Sequence, residues 1–309
     1  MIQTTETTLP ENITTAMDSM ELLLFNVVNS DISVLRDASR HILQAGGKRI
    51  RPRLLLLSYA ASGGIDMAKV IPVAASVELI HTASVVHDDI NDDGTLRRGR
   101  PSVNARWGRV FALLTGDFLF TKVCKLMIPY EELNLLFAEV TATLVEGEAL
   151  QAIAAKEADL SYEVYYDIIS RKTASLFKAS ALMGAKLSDA NEEILIALGQ
   201  YGYKVGLAFQ LVDDILDITG DESRLGKTTG VDMEQGKGFA SAHGGNGRNN
   251  SDTMEVIKRA VMAGNTIDAA KTTALELVQM AIAALDVLPD SIYKEALVDL
   301  AQAVVDRRS

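Results

Sequence analysis

The sequence predicts an all-α helical bundle, and three observations carry that prediction. The first is a repeat: Asp88-Asp89-Ile90-Asn91-Asp92 and Asp213-Asp214-Ile215-Leu216-Asp217 each sit inside an otherwise apolar, helix-like stretch. The second is periodicity, because apolar residues recur at three- and four-residue intervals and no alternating run bounded by turns is found. The third is composition. Of 309 residues, 48% are apolar and only 6% aromatic, so the core is aliphatic, as suits helices.

Taken in order, residues 1 to about 12 are polar and expected to be frayed. A helical pattern runs from Thr14 to Ala45 through Leu22, Leu23, Leu24, Val27, Val28, Leu35, Ile42 and Leu43, and Gly46-Gly47 stops it. Helices follow at Arg53 to Gly63 and Met67 to Asp92, the latter carrying the first acidic box at its C-terminal end. Gly94 to Pro101 has loop chemistry. Helical periodicity resumes over Ser102 to Met127, Glu131 to Glu157, Tyr162 to Met183, Asn191 to Gly220 and Met254 to Arg308, with a break near Leu288-Pro289. One interval differs: Gly236 to Ser251 reads GKGFASAHGGNGRNNS, a composition that predicts a mobile loop. No linker-like segment divides the chain, so residues 1–309 are expected to form a single domain of about ten helices.

Composition also excludes classes. A net charge of -11 argues against phosphate-mediated binding of nucleic acid. The single cysteine, Cys124, permits no internal disulfide framework and offers no zinc-ligand spacing. The start MIQTTETTLPEN lacks a basic region followed by an apolar one, and no stretch approaches eighteen uninterrupted apolar residues. The expectation is a soluble, cytoplasmic protein without an integral membrane segment.

Within each box the first and last Asp are four residues apart, so a helix projects both carboxylates from one face. Such like charges repel unless a strong cation sits among them, and hard divalent cations with oxygen ligands fit. Basic groups accompany the boxes: Gly46-Gly47-Lys48-Arg49-Ile50-Arg51-Pro52, Arg97-Arg98, Arg171-Lys172-Thr173, and Lys227 with Lys237. Arg offers a planar fork for phosphate oxygens and Lys a point charge, so this set suggests a polyanion such as diphosphate. His81 lies two helical turns before Asp88 on a similar face. Each feature alone has a plainer reading: an isolated DxxxD is usually a solvated helix face, GGKR a helix stop, and a lone His a structural residue. Two copies of DDxxD in apolar helices, flanked by GGKRIRP and RRG, are improbable under independent surface placement.

These residues resemble the trans-isoprenyl diphosphate synthases, or polyprenyl synthetases, from about Leu35 to Gly236. GGKRIRP, ELIHTASVVHDDINDDGTLRRGRPS, GDFLF, RKTASLF and FQLVDDILDITGD occur in that family's order and spacing. The resemblance implies a fold of the isoprenoid synthase type, usually a homodimer, with a central cavity between two aspartate-rich helices, and it implies Mg²⁺. It assigns Asp88, Asp89 and Asp92 to magnesium on an allylic diphosphate, with Asp213, Asp214 and Asp217 completing the cluster from the opposite wall. Lys172, Lys227 and Arg97 would hold that diphosphate, and Lys48, Arg51, His81 and Arg98 would bind isopentenyl diphosphate. Thr173 and Gln210 would lie beside the reacting carbons, and Lys237 falls where the family has another diphosphate ligand.

Breaking the allylic C–O bond leaves a carbocation and a diphosphate, so metal and basic groups must meet the growing negative charge while water is excluded. The resemblance also implies product length. Ser84 and Ala83, four and five residues before Asp88, are small where bulky aromatics stop growth early. Ile80 and Val77 come next, with Phe120, Val123 or Met127 as a floor. The expectation is a long product of about C30 to C50, with geranylgeranyl diphosphate as the shorter alternative. One departure stands out: after Gly236-Lys237 the family usually continues with an apolar helix, and here the Gly/Asn-rich interval follows. Two rivals are thereby defined. A class I terpene cyclase would lack the isopentenyl site and carry a different second metal motif. A weakly active regulatory subunit of a heteromeric synthase would bind a catalytic partner through its helices.

Overall fold

The computed structural model describes residues 9–157, 161–219 and 265–306. Among them the fold is all-α apart from one small hairpin, as the periodicity predicts. Helix α1 spans Glu11–Val27, α2 Ser33–Gln44, α3 Ile50–Ala61, α4 Met67–Asn91, α5 Val103–Trp107, α6 Arg109–Met127 and α7 Glu131–Glu157. Helix α8 is Tyr162–Ile169, followed without interruption by a π-helical turn, Ser170–Ala174, and by α9, Ser175–Leu187. Helix α10 is Glu192–Thr219, α11 Asn265–Ala284 and α12 Ile292–Val305.

Several predicted boundaries move, each for a local reason. The chain is already helical at Glu11, where the Pro10 carbonyl accepts from the amides of Ile13 and Thr14. The single helix expected from Thr14 to Ala45 is two helices. Asn29-Ser30-Asp31 breaks it, with the Ser30 hydroxyl accepting from the Ile32 amide at 3.2 Å and so replacing helical bonds. Helix α3 starts three residues earlier than expected, because Pro52 falls in its first turn, where a missing N–H costs nothing. The expected Ser102 to Met127 helix breaks at Gly108, whose φ of 83° suits glycine. The Gly94–Pro101 loop contains a two-residue antiparallel ladder, Leu96 opposite Pro101 and Arg97 opposite Arg100, too short to show alternation in sequence. The expected frayed start up to residue 8, the 236–251 loop, Lys227, Lys237 and the helical pattern before Asn265 lie outside the described residues.

One apolar cluster runs from Ile13 in α1 to Val304 in α12 and includes most of α3 and the inner face of α4. Helix α4 packs chiefly on α6, α3 on α9, and α10 on α9 and α11. Although no eighteen-residue apolar run was expected, α4 is long and apolar enough to cross a membrane. About two-thirds of that stretch is buried inside the protein, which accounts for its hydropathy as core packing.

Not every basic residue of the first cluster faces a ligand. Arg49, held at φ 46°, turns inward. Its guanidinium meets Glu78 at 2.6 Å and Glu21 at 2.6 Å and donates to the Leu43 carbonyl at 3.2 Å. It is therefore a strut tying α1 and α4 to the α2–α3 turn. Removing one partner of so buried a pair strands the other charge. Glu78→Gln is expected to destabilise the protein by about 3 kcal/mol in chemical denaturation. Glu21→Gln should cost about 1 kcal/mol or less, because 35% of that side chain is exposed.

Candidate active site

The site is organised by the π-helical turn between α8 and α9. Two glycines let neighbouring helices press on it: a Cβ on Gly147 of α7 would lie 2.9 Å from the Lys172 amide nitrogen, and one on Gly206 of α10 would lie 2.7 Å from the Ala174 Cα. The turn then aims consecutive side chains at different walls. Lys172 reaches Asp88 Oδ1 at 3.5 Å, forms a short ion pair with Glu148 of α7, and lies 3.3 Å from Gln151 Oε1. Thr173 instead donates to Gln210 Oε1 of α10 at 2.7 Å. Gln210 Nε2 donates to Asp214 Oδ1 at 3.1 Å, and the Tyr165 hydroxyl of α8 donates to Asp214 Oδ2 at 2.5 Å. The two acidic boxes, on helices that pack mainly against other neighbours, are thus referred to one turn of chain.

The box residues do not behave alike. In the first, Asp88 and Asp92 lie on the side of Lys172 and Glu148. Burial pushes the Asp88 carboxyl up to about 7; Lys172 opposes this, while Glu148 and Asp92 add to it. For the Lys172 ammonium, burial is the largest influence and works downward, yet Asp88 and Glu148 outweigh it and hold the group above its usual value. Asp89, only 2% exposed, points elsewhere and takes Arg97 on Oδ1 at 2.7 and 3.2 Å. In the second box Asp214 is 4% exposed and engaged by Tyr165 and Gln210, while Asp213 is half-buried. Asp217 lies on α10, but its side chain is outside the described set. The expected six-carboxylate metal set is therefore not uniform. Neighbours on a helix diverge by about 100°, so Asp89 and Asp214 turn into the protein while Asp88 and Asp213 do not.

The donor set fits a hard divalent cation. Burial first, and Glu148 and Asp92 besides, disfavour the Asp88 anion, a cost that a bound cation offsets. Among the described residues no three His, Cys, Asp or Glu side chains gather into a closed metal cage. A few carboxylates without a cage suit magnesium, which usually completes its shell with water and phosphate oxygens.

The second half of the site is basic. Arg98, in the left-handed region at φ 52°, lays its guanidinium against Gly47, where an added Cβ would come within 2.5 Å of Nη1. Arg51, 9% exposed, sits 4.7 Å above the Phe177 ring. Burial, followed by Arg51, Arg98, Arg97 and Arg49, holds the His81 imidazole well below its usual value, so His81 is neutral at pH 7 and can still donate one N–H. Lys48 is exposed on the loop beside them. Arg51, Arg97 and Arg98 are thus brought to one region around His81, with Lys48 on the adjoining loop; Arg97, assigned from the sequence to the allylic diphosphate, lies among the groups assigned to isopentenyl diphosphate. Arg171 is not part of it; it faces solvent and pairs with Asp167 and Glu146.

Of the residues taken to govern product length, Ala83 and Ile80 are fully buried and Ser84 is partly so, its hydroxyl donating to the His81 carbonyl at 2.9 Å. Sequence reasoning missed Glu148, Gln151 and Tyr165. Glu148 had one signal, a carboxylate directly after a glycine in an apolar helix; Tyr165 had none.

A family model described as polyprenyl synthetase matches residues 32–278. The octaprenyl diphosphate synthase of Escherichia coli K12 is 35% identical over 312 aligned positions, covering 94% of this chain and 95% of that one. Component 2 of the heptaprenyl diphosphate synthase of Geobacillus stearothermophilus is 42% identical over 71% of this chain and 68% of its own. Among solved structures, a polyprenyl synthase from Caulobacter crescentus CB15, complexed with calcium and isoprenyl diphosphate, superposes with a TM-score of 0.89 at 31% identity, covering 96% of both chains. The chain belongs to the polyprenyl synthetase family and is a trans-isoprenyl diphosphate synthase, a prenyl-transferring enzyme.

Proposed function

We propose that this enzyme condenses isopentenyl diphosphate with an allylic diphosphate, head-to-tail and in the trans configuration, with Mg²⁺, and extends the product to about C30 to C50. The observation that carries the reading is the divergence of Lys172 and Thr173, one toward the first acidic box and the other toward the second. That arrangement suits a substrate whose diphosphate and reacting carbons occupy the space between two walls.

The residues divide the work. Lys172 and Arg97 hold the allylic diphosphate, with Lys227 and Lys237 assigned alongside them from the sequence resemblance. Lys48, Arg51, His81 and Arg98 receive isopentenyl diphosphate in the arginine-rich half. Asp88, Asp92 and Asp213 would hold magnesium, with Asp217 assigned from the sequence resemblance. When bound, magnesium supplies Lewis-acid stabilisation of the leaving diphosphate's charge. Asp89 and Asp214 act from behind, fixing Arg97 and Gln210. The oxygens of Thr173 and Gln210 lie where positive charge grows on the allylic carbons. Buried aliphatic residues such as Ala83 and Ile80 offer the lengthening chain apolar walls and keep water from the cation. A relative named as an octaprenyl diphosphate synthase supports the long product.

A homodimer is the partner arrangement we favour. Exposed apolar residues form a stripe on α6, with Val110, Leu113 and Leu114, and another on α7, with Leu135, Val145 and Ile153, all at least 45% exposed. Exposed apolar side chains gathered on two helices are the kind of surface that protein interfaces cover. The heptaprenyl relative, named as one component, supports the second reading, in which another chain covers the same stripes.

Incubating the purified protein with farnesyl and isopentenyl diphosphates and Mg²⁺ should give products beyond C20 by chromatography; a product stopping at C20 or below overturns the long-chain reading. Ala83→Phe should shorten the product with the melting temperature largely kept. Asp213→Asn should raise the Mg²⁺ concentration for half-activation roughly tenfold or more, and Asp214→Asn by less than about threefold. Sedimentation analysis should give a dimer that Leu114→Glu dissociates; a wild-type monomer would favour the component reading.

A further inference from the structure

The polar chain behind the reacting carbons has a direction. A carboxylate only accepts hydrogen bonds, so Asp214 compels Tyr165 and Gln210 to present donors to it. Tyr165 answers with its O–H at 2.5 Å and Gln210 with its Nε2–H at 3.1 Å. That fixes the Gln210 amide: with nitrogen turned to Asp214, its Oε1 faces Thr173 and accepts the Thr173 proton at 2.7 Å. Thr173, Asp214 and Tyr165 are each at most 6% exposed, so solvent does not scramble the order. The Thr173 hydroxyl therefore points its proton at α10 and leaves its lone pairs for anything else beside it.

We propose that Tyr165 is a positioning residue which, through Asp214 and Gln210, holds the Thr173 hydroxyl with its lone pairs toward the reacting allylic carbons. This rests on the reading of the site as one that forms an allylic cation. A lone pair stabilises such a cation, whereas an O–H dipole in the reverse sense opposes it. Without the tyrosine donor, Asp214 loses a hydrogen bond on Oδ2 and is freer to rotate. The Gln210 amide can then flip, present N–H to Thr173 Oγ1, and turn the Thr173 proton outward. The link reaches the reaction from α8, two turns before Thr173, and Tyr165 itself need touch no substrate.

The test is a double-mutant cycle on the full-length enzyme with isopentenyl and allylic diphosphates. Tyr165→Phe removes one oxygen and keeps the ring. Its kcat should fall about tenfold, in line with loss of a hydrogen bond to a charged group, with both KM values within about twofold of wild type. In a Thr173→Val background the same change should alter kcat less than twofold, because the group it orients is gone. Placing 4-aminophenylalanine at position 165 restores a donor and should recover most of kcat, which keeps the test decisive if Tyr165→Phe folds poorly. Equal kcat losses in both backgrounds, a loss confined to KM or melting temperature, or no recovery with the amino analogue would each overturn the inference. A wild type that turns over no isopentenyl diphosphate would instead overturn the proposed function.

Discussion

The structure depends on one local departure from α-helical geometry, the π turn from Ser170 to Ala174. In a regular helix, successive side chains fan round the axis on a fixed schedule. A π turn shifts that schedule, so the side chains beyond it face otherwise than a continuous α-helix would place them, and such turns recur at functional sites. Here it lets Lys172 serve the α4 wall and Thr173 the α10 wall. Backbone packs against backbone at Gly147 and Gly206, so the turn is clamped from two sides and its side chains inherit the precision of the helices.

The clamped turn separates two zones whose charges are each in conflict with themselves. On the acidic side, burial and neighbouring carboxylates raise Asp88 to about 7. On the basic side, burial and four arginines lower His81. Burial is the first cause of both shifts, and like charge adds to each: Glu148 and Asp92 on the acidic side, where Lys172 opposes them, and the arginines on the basic side. Arg97 bridges the zones through Asp89, and Arg49 is neutralised by Glu21 and Glu78, so the remaining imbalance is not a failure to find partners. A metal with a diphosphate complements both zones at once. Under the proposed function, a bound metal and diphosphate would offset that electrostatic cost.

This division explains what was legible in the sequence. The two boxes, the order of the basic clusters and the all-α architecture are local patterns, and a linear reading recovers them. Which member of each cluster faces the site is a tertiary fact. Arg49 and Arg51 are two residues apart in one motif, yet the first is a buried strut and the second lies over Phe177. Lys172 and Arg171 are adjacent, yet one faces Asp88 and the other solvent. Glu148 and Tyr165 come from helices with no motif of their own, and only packing against the π turn and α10 gives them a role. The helix breaks at Ser30 and Gly108 were missed because apolar periodicity continues across them.

The doubled aspartate of each box then has a physical meaning. Two adjacent residues on a helix cannot direct carboxylates at the same point, since they diverge by about 100°. The first and last positions of the box, four apart, can. The second position turns into the protein and anchors another group: Asp89 holds Arg97, and Asp214 holds Gln210 with Tyr165 behind it. In both boxes the group held reaches onward: Arg97, proposed above to hold diphosphate, in one case, and the Gln210 amide, toward Thr173, in the other. Under the proposed function, the first box would combine two metal-facing carboxylates, Asp88 and Asp92, with a buried tether, Asp89. Substituting the tether should disturb orientation more than metal affinity, even though its residue type is the same.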